Sequence, residues 1–227
     1  MLLYRANKLV RVDSIIEELW GERPPKSAMT TAQTYIYHLR RMFEKEGAAA
    51  RGEDILETST FGYVLNVDPR CLDDREFQRL TALAREHMRG ERPRKALDAI
   101  HQGLDLWTGP ALGNITCGPV LGAYAVDLEE QKLQALQMRV DAELQLGMTG
   151  ELVGDLRRLV LEYPLNEWFH ARLIRVLHSM GRRSEALHSY HDLQMILREE
   201  VGLSPSRELQ QLHREILSED SVLPVAG

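Results

Sequence analysis

Cysteine is close to absent from this sequence, and so are most of the features that announce catalysis or membrane insertion. Cys71 and Cys117 are its two cysteines among 227 residues. Neither belongs to a CxxC pair or to a metal-ligand spacing, which excludes a disulfide framework and fits buried thiols in a reducing compartment. No apolar run approaches the roughly 20 residues needed to span a bilayer, and nothing resembles a signal peptide. The expected location is therefore the cytoplasm, with no membrane partner. A GxxxxGK[ST] phosphate loop is missing. His178, His188 and His191 crowd around Gly181 without an HExxH or comparable ligand spacing. The carboxylate pairs Glu129-Glu130 and Glu199-Glu200 are adjacent, so on a helix they diverge by about 100° and cannot flank one substrate. With no nucleophile, base and oxyanion set either, the expectation is a non-enzyme with no cofactor and no metal.

What is present describes a folded protein. Hydrophobic residues make up 44% and charged residues 27% of the chain, a globular balance with enough apolar surface for a core. The net charge of −6 is unevenly spread: residues 1 to 70 hold 10 basic and 10 acidic side chains, the remainder 18 and 24. A neutral first part with a locally basic element can still bind phosphate, because the field at the contact face decides.

That element is "TTAQTYIYHLRRMF", residues 30 to 43. Between Arg23 and Phe43 there are four Lys or Arg residues and no Asp or Glu. Ala32, Ile36, Leu39 and Phe43 recur at helical spacing and make one apolar stripe, which belongs against a core. Thr30, Thr34, Tyr37 and Arg41 lie opposite, flanked by Gln33, His38 and Arg40, with Lys26 just upstream. Arg41 and Gln33 suit bidentate contacts to guanine and adenine, Thr34 and Tyr37 a thymine methyl or a phosphate, and Arg40 a phosphate.

Upstream, "VDSIIEELWG" spaces Val12, Ile15, Ile16, Leu19 and Trp20 as an amphipathic helix, capped by Asp13 or Ser14 with Glu17 completing a capping box. Gly21 and Pro24-Pro25 end it. Leu39 is expected to face Ile16, Leu19 and Trp20. After a flexible "EGAAARGED" stretch, "ILETSTFGYVLNV" reads as a two-stranded hairpin turning at Ser59 to Gly62. Helix, turn, basic helix and hairpin together describe a winged helix over residues 1–68. A hairpin alone is marginally stable, so Leu2, Leu3, Val12, Ile15 and Phe43 need cover, either from the helical part or from a second chain.

Pro69 breaks the last strand, and residues 69–227 carry helical patterns only, to about Asp220. Gly147 and Gly181 fall 34 residues apart, the period of a tetratricopeptide helix pair, while the Gly90 segment is out of register because a long helix over about 120–146 intervenes. Trp107, Trp168, Tyr163 and Tyr190 read as anchors between neighbouring helices. The expected fold is mainly α, a winged helix-turn-helix followed by an all-α, tetratricopeptide-like repeat.

"VDSIIEELWGERPPKSAMTTAQTYIYHLRRMF" with "ETSTFGYVLNV" resembles the OmpR-type winged helix of the Streptomyces antibiotic regulatory proteins. "EFQRLTALAREHMRGERPRKALDAIHQGLDLWTGPAL" and "LVLEYPLNEWFHARLIRVLHSMGRRSEALHSYHDLQMILREEVGLSPSRELQQLHREIL" resemble the bacterial transcriptional activation domain that follows it. The resemblance implies an activator of secondary-metabolite genes. Such a protein binds direct repeats in double-stranded promoter DNA as a dimer or as tandem protomers. It recruits RNA polymerase holoenzyme through its sigma factor and alpha subunit. It also implies that Thr30, Gln33, Thr34, Tyr37, His38, Arg40 and Arg41 enter the major groove. Family members begin with a small antiparallel sheet and a complete first helix, of which only "MLLYRAN" is seen, and many carry Arg in the wing turn where Ser59 stands. The other reading is a helical-repeat interaction module whose winged helix binds no DNA. Steep loss of duplex affinity with rising salt separates the two.

Overall fold

A computed structural model describes residues 1–48 and 52–218. The chain opens on a run of turns over residues 2–7, closed by Arg5 N–H donating to Met1 O and Ala6 N–H to Leu3 O, so "MLLYRAN" is not helical. Asn7 ends it with φ 62°, a left-handed position that Asn tolerates because its short amide can bond locally. Here that amide donates to Val67 O at 2.9 Å and accepts from Val67 N–H at 3.0 Å. Three residues, Leu9–Arg11, then form strand β1, with Val10 buried between exposed neighbours.

Helices α1 (Val12–Trp20), α2 (Ala28–Lys45) and the single turn α3 (Gly52–Ile55) lead to β2 (Leu56–Ser59) and β3 (Gly62–Leu65). Part of the expected loop over 46–54 lies outside the described residues. The hairpin pairs Thr58 with Tyr63, and β1 pairs antiparallel on its other side with Val10 opposite Tyr63, giving the order β1-β3-β2. The sheet therefore has one strand more than the sequence pattern announced. Gly62 is what lets β1 lie so close: a Cβ there would sit 2.0 Å from Val10 O, which no side chain tolerates.

Val10, Ile15, Ala32, Ile36, Leu56, Tyr63 and Leu65 form the core of this part, with Leu39, Phe43, Ile16 and Leu2 packed against it. The stripe on α2 thus faces inward as its spacing requires. Two expected core members do not: Leu3 and Leu19 are exposed, and it is Glu18 that is buried on α1. Neither expected cap forms, because α1 already begins at Val12 with Arg11 before it and no side-chain cap bond.

Glu18 explains its own burial. Its carboxylate accepts from the amides of Gly118 (2.7 Å), Val120 (2.9 Å) and Leu121 (3.3 Å), the opening of the 27-residue helix α6 (Pro119–Gln145). A helix start has orphan N–H groups and a positive dipole end, and a carboxylate answers both. Gly118 is again obligatory, since a Cβ would lie 2.2 Å from Glu18 O. Nearby, Arg75 of α4 (Asp73–Arg89) donates to Tyr4 O at 3.2 Å and Tyr124 of α6 donates to the Asp74 carboxylate. Burial first, and then this bond, push the Tyr124 phenol well above its ordinary pKa. Of the residues expected to need cover, Leu2, Val12, Ile15 and Phe43 pack into the core of this part itself, while Leu3 stays exposed. Compact packing accordingly groups Met1–Arg139 together and the residues from Val140 on separately, a different division from the composition shift near residue 69.

Helices α4 and α5 (Pro93–Leu104) pack on each other in the first unit. In the second, α7 (Thr149–Glu162), α8 (Glu167–Ser179), α9 (Arg183–Glu200) and α10 (Arg207–Ser218) stack around Leu156, Phe169, Ile174, Leu177, Leu193 and Ile216. His170 is buried there with its Nε2 3.1 Å from Pro164 O, and burial pushes its pKa down. A neutral imidazole donating from Nε2 satisfies both observations. Tyr190 and His213 stack at 4.0 Å and Phe77 meets Trp107 edge-on at 5.3 Å, the anchoring work expected of these rings. No group of three or more His, Cys, Asp and Glu side chains placed to hold a metal ion occurs among the described residues.

Several helix ends share the geometry that also closes α2 at Gly47, and three of them lie in the helical part. At Gly147, Gly181 and Glu91 the residue has φ of 72°, 73° and 53°. The following amide reaches back five residues, as in Met148 to Glu143, Arg182 to Leu177 and Arg92 to His87. This is a Schellman close. At the first of the three sites the left-handed residue is Glu91 rather than Gly90, at a conformational cost that glycine avoids. Glu91→Gly is expected to stabilise the protein by about 1 kcal/mol and Gly181→Ala to destabilise it by about as much, read as opposite shifts in thermal midpoint. Glu18→Ala strands three helix-start amides and should cost about 2 to 3 kcal/mol, with hydrogen exchange accelerating over residues 1–48 before the second unit is affected.

Candidate nucleic-acid interface

Helix α2 is presented by everything beneath it. The turn from α1 uses Gly21 at φ 59°, whose amide donates to Glu17 O at 2.8 Å. Pro24 and Pro25 then carry the chain to Ser27, and Ala28 N–H returns to Pro25 O at 2.9 Å. Ala28, Ala32 and Ile36 are fully buried along one line of the helix, which fixes its rotation. The opposite arc therefore faces solvent: Thr30, Gln33, Thr34, Tyr37, His38 and Arg41 are all exposed, with Lys26 exposed in the preceding loop.

The chemistry of that arc is mixed donor and acceptor, with positive charge at its end. No acidic side chain occupies the first turn of α2, so the positive end of the helix dipole is unopposed there. Thr34 Oγ1 donates to Thr30 O at 2.9 Å, leaving its lone pairs outward. Tyr37, 59% exposed, sits edge-on to His38 with ring centroids 5.6 Å apart. Arg41 makes one contact at 3.1 Å with Glu44, and its side chain is 66% exposed. An ion pair so wet is worth little and is readily exchanged for a phosphate or a base edge. Lys45, one turn further, continues the arc; its place four residues beyond Arg41 is a signal the sequence reading passed over.

Arg40, expected at a phosphate, is held by the wing in this structure. Its guanidinium donates twice to Leu56 O, at 2.9 and 2.7 Å, and once to Thr58 Oγ1 at 2.7 Å, and lies 6.0 Å from the centre of the Tyr63 ring. This is a brace between α2 and the first wing strand. At about 40° from Ile36 on the helical wheel it sits at the edge of the buried stripe, and a long side chain there finds the open carbonyl of β2 before it finds a groove. The expected phosphate contact of Arg40 therefore competes with this brace for the guanidinium.

The wing carries Phe61 at its tip, 66% exposed, with its carbonyl accepting from Val12 N–H at 3.2 Å. The hairpin is thus tied to the start of α1 through its backbone, and its side chains at the tip are free to touch a neighbouring surface.

Arg40→Ala is expected to lower thermal stability by about 1 to 3 kcal/mol while leaving any base preference of the folded protein as it was, measured by a melt and by a binding series at a temperature where the variant is folded.

Residues 1–65 match the family model described as transcriptional regulatory protein, C terminal, and residues 72–217 that described as bacterial transcriptional activator domain. The chain is 36% identical over 223 residues to the regulatory protein DnrI of Streptomyces peucetius, covering 97% of this chain and 82% of that protein. To the transcriptional regulator RedD of Streptomyces coelicolor it is 32% identical over 220 residues, covering 97% and 63%. Among solved structures it is similar to Mycobacterium tuberculosis EmbR in complex with a low affinity phosphopeptide, with a TM-score of 0.86 and 26% identity, covering 96% of this chain and 57% of that one. The chain thus spans less than two thirds of RedD and of the EmbR chain.

Proposed function

Because this chain belongs to the Streptomyces antibiotic regulatory protein family of transcriptional activators, a family not known for enzymatic activity, we propose that it binds promoter DNA through the outward arc of α2. In this reading residues 1–68 hold the promoter and residues 69–227 contact RNA polymerase or a second protomer on direct repeats, switching on secondary-metabolite genes in the cytoplasm.

The observation that carries the reading is the sidedness of α2. Its rotation is set by Ala28, Ala32 and Ile36 against the core, and the residues left outside are those that read base edges and phosphates. A solvated helix face usually alternates charges of both signs. This one has hydroxyls, an amide, an imidazole and cations. Thr30, Gln33, Thr34 and Tyr37 stand on the amino-terminal two thirds, where a recognition helix meets base edges. Arg41 and Lys45 follow toward the carboxyl end. Lys26 approaches the backbone from the turn, and Phe61 brings the wing to the adjoining phosphates or minor groove.

Arg41→Ala is expected to weaken specific binding by about 1 to 3 kcal/mol and to relax preference at one base pair. Lys26→Ala should weaken binding to all duplexes alike and reduce the salt slope by about one. A footprint on the DNA flanking the protein's own gene supplies the site for both series. Unchanged affinity and unchanged preference in Arg41→Ala would remove α2 from the groove.

A further inference from the structure

Within the first unit lies a cavity of about 650 Å³ whose wall includes Tyr4, Phe77, Trp107, Leu112, Leu121 and Tyr124. Ligand pockets for small molecules run about 300 to 1,000 Å³ and are mostly apolar with a few placed polar groups. Four aromatic rings contribute here as two contacting pairs, Tyr4 with Tyr124 at 4.2 Å and Phe77 with Trp107 at 5.3 Å. Rings held by one another offer their remaining faces to a guest at little entropic cost. The loop over 106–115 forms one side, and Leu112 there takes a left-handed φ of 53°.

The electrostatics of the wall are one-sided. The charged side chains lining it are Asp73 and Asp74. Asp74 is already engaged, accepting from Tyr124 and lying 3.7 Å from Arg75. Asp73 accepts the Asp74 amide at 2.8 Å and has no ion pair among the described residues. Lys132 sits 5.1 Å from the centre of the Trp107 ring but does not line the cavity. An anionic guest is repelled by this wall, and a cation over aromatic faces near a carboxylate is favoured.

We propose that this cavity binds a small aromatic amine, its rings among Tyr4, Trp107 and Tyr124 and its ammonium toward Asp73. The site is independent of whether α2 contacts DNA, so the two readings stand or fall separately.

Two matched probes test it on the full chain by titration calorimetry: 2-(2-naphthyl)ethylamine and 2-naphthylacetate, which share a ring system and differ in charge. The amine is expected to bind saturably at one site, and the carboxylate at least about tenfold more weakly. Asp73→Asn keeps an acceptor for the Asp74 amide and removes the charge, so it should lower amine affinity about tenfold and erase the difference between the probes. Leu3→Trp, at an exposed position on the wall, should fill the space and block both. Absence of saturable amine binding, equal binding of the two probes to the unaltered chain, or amine affinity unchanged in both variants would each overturn the proposal.

Discussion

A single carboxylate reaches across 100 residues of chain to cap a helix, and the arrangement of the first unit depends on it. Glu18 meets the amides at the start of α6 at 2.7 to 3.3 Å. The interaction is worth more than an ordinary surface contact because the helix start would otherwise present buried, unpartnered donors. It also specifies direction: the last full turn of α1 is locked to one end of a helix that itself packs beside α4. The Arg75 and Tyr124 contacts around Tyr4 and Asp74 act at the same junction. A three-stranded sheet with two helices has a small core of its own, and this junction supplies the support it lacks.

From that footing the two sides of α2 divide their work. The inner side is set by small and branched apolar residues, and Arg40 extends the hold to the wing by bonding the carbonyl of Leu56. The outer side is left with polar and basic groups at defined angles. A recognition surface needs this rigidity, because bidentate contacts to bases tolerate little rotation of the helix that carries them. On the proposed reading, packing and recognition are linked through the same eighteen residues.

The winged-helix order, the inward stripe of α2, the hairpin and the run of helices after residue 72 were legible in the sequence, because each is a local periodic pattern. The same helical count selected the exposed arc from Thr30 to Arg41. Where the sequence reading missed, the partner was distant or the element too short. Strand β1 is three residues long and runs straight into α1, so its single buried Val10 carries no visible alternation. Glu18, between Glu17 and Leu19, carries no signal of its burial, since nothing within ten residues hints at Gly118. Arg40 looked like its neighbour Arg41, and the geometry of β2 was needed to part them. Glu91 stands where a glycine was expected, one residue late, and only backbone φ shows it. The cavity, whose walls come from four separated stretches, leaves no trace in any one of them.

The central claim is that the arc of α2 carrying Tyr37 faces duplex DNA while the flank carrying Met42 faces away. Site-specific photocrosslinking tests this directly, with p-benzoylphenylalanine placed at position 37 in one protein and at position 42 in another. Both side chains are exposed, so neither probe must disturb the core, and the two positions lie about 140° apart on the helix. Crosslinks to the bases of a footprinted duplex from position 37, with little or none from position 42, are the expected result. Crosslinking from position 42 with position 37 silent would contradict the account.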